Sequence, residues 1–168
     1  TLEHGSEVRH ADFSPDGSRV ITAGDSKSVR LWDATSGQPG HVLDHAAKVS
    51  RAEFSPDGAF VITPGGVWST ASGLCVHPFE ILSEFSAVSP NGALAITWIR
   101  SWAPNRERAV HIWETSSGKE VLRVDISNES VDDAWFSADG TRFVTIEESS
   151  PTRVWDVKSG VQLGTLTS

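Results

Sequence analysis

The sequence predicts an all-β protein built from four copies of one four-stranded antiparallel unit. Two observations carry this. A Ser-Pro-Asp-Gly turn occurs at Ser14-Pro15-Asp16-Gly17 and at Ser55-Pro56-Asp57-Gly58, and in looser form at Ser89-Pro90-Asn91-Gly92 and Ser137-Ala138-Asp139-Gly140. Each copy is followed by a tryptophan and, five residues on, by the glycine of a Ser-Gly pair: Trp32 to Gly37, Trp68 to Gly73, Trp113 to Gly118, Trp155 to Gly160. The tryptophans stand 36, 45 and 42 residues apart. A period of roughly 40 residues with turn chemistry at fixed offsets marks a repeat architecture, and such folds present surfaces for binding.

The first unit shows the plan. Val8 to Phe13 reads as a strand ending in the Ser-Pro-Asp-Gly turn, where Pro15 presets φ and Gly17 tolerates positive φ. Arg19-Val20-Ile21-Thr22 is β-branched and half apolar, a second strand. Gly24 to Lys27 is a polar turn, and Val29-Arg30-Leu31-Trp32 alternates as a third strand. Thr35-Ser36-Gly37 turns the chain into a fourth around His41-Val42-Leu43. The other second strands are Phe60 to Thr63, Leu94 to Thr97 and Arg142 to Thr145, each ending in threonine. A tryptophan in register in every unit reads as a packing residue, burying about 150–250 Å². No helical periodicity of useful length is present.

The endings Leu31-Trp32-Asp33 and Val154-Trp155-Asp156, with Trp68-Ser69 and Ile112-Trp113-Glu114 as variants, together with the Phe13-Ser14-Pro15-Asp16-Gly17 corner, resemble the signature of WD-repeat β-propellers. The resemblance covers essentially the whole chain. It implies a β-propeller of four-stranded antiparallel blades around a central channel, four blades in this chain, at about 5–44, 45–80, 81–126 and 127–168. In the family a histidine ahead of the first strand joins a buried network with a strand Ser/Thr, a turn Asp and the Trp. Carried over, the resemblance implies a structural network of His4, Thr22 and Trp32, with Asp25 as a further candidate, and one of His45, Thr63 and Trp68. No matching histidine precedes the third and fourth units.

Internal comparison locates the variable parts. The Trp-to-Gly step is five residues throughout, but the turn glycine precedes the Trp by 15, 10, 21 and 15 residues, and the links from Gly37, Gly73 and Gly118 to the next turn serine are 18, 16 and 19. In an up-and-down blade these variable connections share one face, opposite the two constant turns. Loops on a rigid scaffold carry function, so the variable face is the expected binding face. Its largest insertion, Ile99 to Arg108 with Trp98 just before it, holds Arg100, Trp102, Arg106 and Arg108, residue types enriched at interaction hot spots; the alternative is a loop that folds Trp102 back over its own blade. Asp132-Asp133 and Glu147-Glu148 in the fourth unit add carboxylates that would attract a basic peptide or a cation; the alternative is a solvated acidic rim.

The remaining chemistry is bounded by composition. A formal net charge of −8 argues against a nucleic acid and against an anionic membrane surface. The longest apolar run, near Ala93 to Ile96, falls far short of the ~20 residues of a membrane span. The single cysteine, Cys75, excludes an internal disulfide, fits a reducing, cytoplasmic setting, and reads as a small core residue. No nucleophile elbow, zinc-protease helix or phosphate loop is present, the histidines lack metal-ligand spacing, and neither a cofactor nor a metal is implied. The sequence therefore reads as a protein- or peptide-binding scaffold; an enzyme with residues converging on the channel is the remote alternative. The chain starts at Thr1 and holds no methionine, which reads as a processed chain or a piece of a longer one. Four blades leave the lateral faces of the first and last uncovered. Further blades, a closed four-blade ring, or self-association of two copies would cover them.

Overall fold

The Ser-Pro-Asp-Gly corner forms because its own side chains satisfy its backbone. In the computed structural model, which describes residues 5–79, 85–98, 108–126, 130–147 and 151–166, the Gly17 amide donates to the Ser14 carbonyl at 2.8 Å. The Ser14 hydroxyl donates to Asp16 Oδ1 at 2.6 Å, and the Ser18 amide donates to the same oxygen at 3.0 Å. Gly17 takes φ 70°, a left-handed conformation that strains any side chain. The corners at Gly58, Gly92 and Gly140 repeat it, with φ of 69°, 71° and 69°. The Ser14 and Ser137 hydroxyls, foremost among several donors, hold the Asp16 and Asp139 carboxyls down to about 2.

Each corner joins the first two strands of a blade. The first blade is β1 (Val8–Phe13), β2 (Arg19–Gly24), β3 (Ser28–Asp33) and β4 (Pro39–Asp44). The second is β5 (Glu53–Phe54), β6 (Phe60–Thr63), β7 (Gly66–Ser69) and β8 (Cys75–Pro78). The third is β9 (Phe85–Val88), β10 (Leu94–Trp98), β11 (Ala109–Glu114) and β12 (Glu120–Asp125). The fourth is β13 (Val131–Phe136), β14 (Arg142–Glu147), β15 (Thr152–Asp156) and β16 (Gln162–Leu166). Every sheet keeps its strands in chain order, and all pairings are antiparallel. The described residues contain no helix.

Alternation of side chains gives each sheet two apolar faces, and the blades pack face to face. Ile21, Ala23, Val29, Leu31 and Leu43 of the first blade meet Val49, Ala52, Phe54, Val61 and Trp68. Ile62, Val67 and Phe79 meet Val88, Ala95 and Trp113, with the Phe79 and Trp113 rings stacked at 4.7 Å. Trp98, Val110, Ile112 and Val124 meet Val131, Ala134, Phe143 and Trp155. The recurring tryptophan therefore faces the preceding blade. The first strands β1, β5, β9 and β13 lie innermost and touch across blades; β4, β8, β12 and β16 form the outer rim. Cys75 sits on that rim and is exposed, which corrects its reading as a core residue: the strand is apolar in sequence but has nothing beyond it.

A buried indole N–H needs an acceptor. The threonine ending each second strand supplies it: Trp32 to Thr22 at 2.8 Å, Trp68 to Thr63 at 3.0 Å, Trp113 to Thr97 at 2.8 Å, Trp155 to Thr145 at 3.0 Å. In the second blade His45 extends the pair, with Nδ1 2.8 Å from the Leu43 carbonyl and Nε2 2.9 Å from the Thr63 hydroxyl. The carbonyl requires a proton on Nδ1, which leaves Nε2 to accept from Thr63 in the neutral ring. His4 lies outside the described residues. In the fourth blade a carboxylate takes the histidine's part: Thr145 donates to Glu147 Oε1 at 3.2 Å, and Arg153 Nη2 stands 3.1 Å from Glu147 Oε2.

Candidate functional site

Two inner strands and the lead-in to a third share one phrase. Val8-Arg9-His10-Ala11, Val49-Ser50-Arg51-Ala52 and Val131-Asp132-Asp133-Ala134 are copies of one phrase. In β1 the pairing jumps from Val8–Gly24 to His10–Ala23, leaving Arg9 in a bulge; in β13 it jumps from Val131–Glu147 to Asp133–Ile146, leaving Asp132 in one. A bulge bends the strand and re-aims its side chains. In the second blade Val49 bridges to Gly24, which sets Ser50 and Arg51 at the same height. Arg9, His10, Asp25, Ser50, Arg51, Asp132 and Asp133 consequently line one groove of ≈ 480 Å³. It opens at the variable-loop end of the blades, away from the Ser-Pro-Asp-Gly corners.

The groove is charged on all sides. Arg9 Nη2 lies 2.9 Å from Asp25 Oδ2 and 3.2 Å from Glu7 Oε2, and Lys48 Nζ lies 3.8 Å from Asp25 Oδ1. Arg51 Nη2 holds Glu53 Oε1 at 2.8 Å, while its Nη1 reaches toward Asp133 Oδ1 of the fourth blade at 3.9 Å. Glu53 Oε2 in turn accepts the Val88 amide at 3.0 Å, tying the second blade to the third. The Asp25 carboxyl is held below the usual range, first by the Arg9 hydrogen bond. Five carboxylates (Glu7, Asp25, Glu53, Asp132, Asp133) surround three cations (Arg9, Lys48, Arg51), so the field favours a positive ligand.

Burial pushes both His10 and His45 below the ordinary 6.5, aided at His10 by the nearby Arg51 charge. The folded chain thus resists a proton that the unfolded chain accepts. Stability should hold above about 6.5 and fall as pH drops below that value. Thermal unfolding compared at about pH 7 and about pH 5 should show the loss, and a smaller one in His45→Gln; an equal loss in that variant would contradict the assignment.

Of the residues expected at a partner surface, Asp132 and Asp133 stand in the groove. Arg108 is half-buried just before β11, where its carbonyl accepts the Ile126 amide at 2.7 Å. Trp98 and Glu147 are not on that surface. Trp98 is fully buried: alternation puts it on the same face of β10 as Ile96, against the fourth blade. Glu147 is buried against Arg153. Arg100, Trp102, Arg106 and Glu148 lie outside the described residues. Sequence reading missed Arg9, His10 and Arg51, although the repeated Val-x-x-Ala-x-Phe phrase marks them. Among the described residues no group of three or more His, Cys, Asp or Glu is placed to hold a metal ion.

A family model described as "WD domain, G-beta repeat" matches residues 1–33, within the unit whose corner, recurring tryptophan and strand order the other three blades copy. Over those residues the chain is similar to the repeat of WD-repeat β-propellers. Among solved structures it is similar to Kuenenia stuttgartiensis hydrazine synthase, with a TM-score of 0.80 and 20% identity over 94% of this chain and 48% of that one. The chain thus spans about half the length of that structure, and the likeness speaks to fold alone. No curated protein matches it. WD repeats generally mediate protein interactions.

Proposed function

We propose that this chain is a non-catalytic docking platform that binds a basic segment of a partner protein across the groove of its inner strands. The observation that carries this is the convergence of residues from three blades, placed by bulges in β1 and β13 and by the Val49–Gly24 bridge, on one acidic groove. Asp132 and Asp133 are the acceptors for Lys or Arg side chains. The contact of Arg51 with Asp133, at 3.9 Å and about one-third exposed, is weak enough for an incoming guanidinium to replace. Arg100, Trp102, Arg106, Arg108 and Glu148 remain in this proposal as partner-contact candidates from the sequence. Hydrazine synthase is an enzyme by name; that describes the neighbour, and the scaffold reading here rests on the family's general role.

Binding of fluorescent Arg/Lys-rich and Asp/Glu-rich peptides tests it. A charge-assisted hydrogen bond contributes about 1.5–3 kcal/mol, so Asp133→Asn should weaken the basic peptide roughly tenfold or more, and high salt should shrink the difference. Arg51→Gln should tighten binding by removing a cation that competes for Asp133. Unchanged affinity in Asp132→Asn and Asp133→Asn, or preference for the acidic peptide, would overturn the proposal.

A further inference from the structure

The two outermost blade faces carry the two halves of an interface that the chain already uses three times within itself. On the first blade Ile21, Leu31 and Leu43 face the second blade and are covered by it, Leu43 at 0% exposure. Register places Val144, Val154 and Leu166 at the same positions of the fourth blade, where Leu166 is 60% exposed and the neighbouring Trp135 is 37% exposed. The opposite half shows the same contrast. Phe54 of the second blade is 7% exposed against the first, whereas its counterpart Phe13 is 62% exposed. The corners interlock in series too. A Cβ added to Gly58 or Gly92 would stand 3.4 or 2.6 Å from Cδ of the preceding blade's Pro15 or Pro56, while one added to Gly17 would meet nothing within 4 Å.

We propose that these faces dock a second copy of the chain. The fourth blade of each copy packs on the first blade of the other, and the two seams close an eight-bladed ring, a size within the range of propellers. The repeat itself argues for this occupant. What fits against Phe13, Val20 and Gly17 is a downstream blade face with a corner residue above it. The chain presents that set on its fourth blade, as Trp135, Val144, Val154, Leu166 and Ala138. Such pairing is closed by a two-fold axis, so both apolar faces are covered at once.

Native mass spectrometry and sedimentation of the 168-residue chain test it. The chain should run as a dimer. Phe13→Asp and Leu166→Asp, both at exposed positions, should each remain folded by circular dichroism and weaken self-association at least roughly tenfold. An equimolar mixture of the two variants retains one intact seam and should associate more tightly than either variant alone. A folded, monomeric wild type would overturn the proposal, and its capture of a separately produced blade pair would assign the faces to further blades of a longer chain. A dimer indifferent to both substitutions, or variants that fail to complement each other, would also overturn it.

Discussion

Trp113→Ala is expected to cost about 3–5 kcal/mol of folding stability, the range for removing a large aromatic from a core. The side chain is fully buried, stacked on Phe79, and bonded through its indole N–H to Thr97 at 2.8 Å. It lies at the seam between the second and third blades, so its loss opens a cavity shared by two sheets and leaves the Thr97 hydroxyl without that donor. Trp113→Phe keeps most of the stacking and should cost less, chiefly the lost hydrogen bond and its volume. Urea unfolding followed by circular dichroism reads both. A cost for Trp113→Ala under about 1 kcal/mol, the range of a partly exposed site, would show that the seam is not packed as described.

The second large effect concerns charge inside the fourth blade. Arg153→Met should destabilise the fold by about 3–5 kcal/mol at neutral pH, because it removes the counter-charge beside a buried carboxylate. Glu147 has a side-chain exposure of 0% and Arg153 of 16%, so solvent does little to screen the pair. The double variant Glu147→Gln/Arg153→Met should recover much of the loss, since a buried ion pair replaced as a whole is often nearly neutral. A single-variant cost no greater than that of a surface pair, about 0–1 kcal/mol, would contradict the buried placement. The same measurement bears on the partner surface, for a carboxylate committed to Arg153 and to the Thr145 hydroxyl is not offered to a peptide.

Strands and corners were readable because their causes are local. Val8–Phe13 and its corner are written in alternation and in the Ser-Pro-Asp-Gly chemistry, and Trp113 announced its packing role by recurring in register. What could not be read depends on which strands become neighbours. Cys75 looked like a core residue until its strand proved to be the outer rim. Glu147 looked like a loop-face acid, because its partner Arg153 lies on the next strand, opposite Thr145. Trp98 looked like a hot spot beside an insertion, although continuing the alternation from Ile96 would have turned it inward. The groove required most: Arg9, His10, Arg51 and Asp133 belong to three blades, and only the convergence of inner strands brings them together.

Binding at the inner-strand mouth is the central claim, and amide NMR shift mapping with an Arg/Lys-rich peptide tests it most directly. Peptide-induced shifts should gather at Arg9, His10, Asp25, Ser50, Arg51 and Asp132 to Ala134. Shifts gathered instead at the corners around Gly17, Gly58, Gly92 and Gly140, or none at saturating peptide, would contradict it.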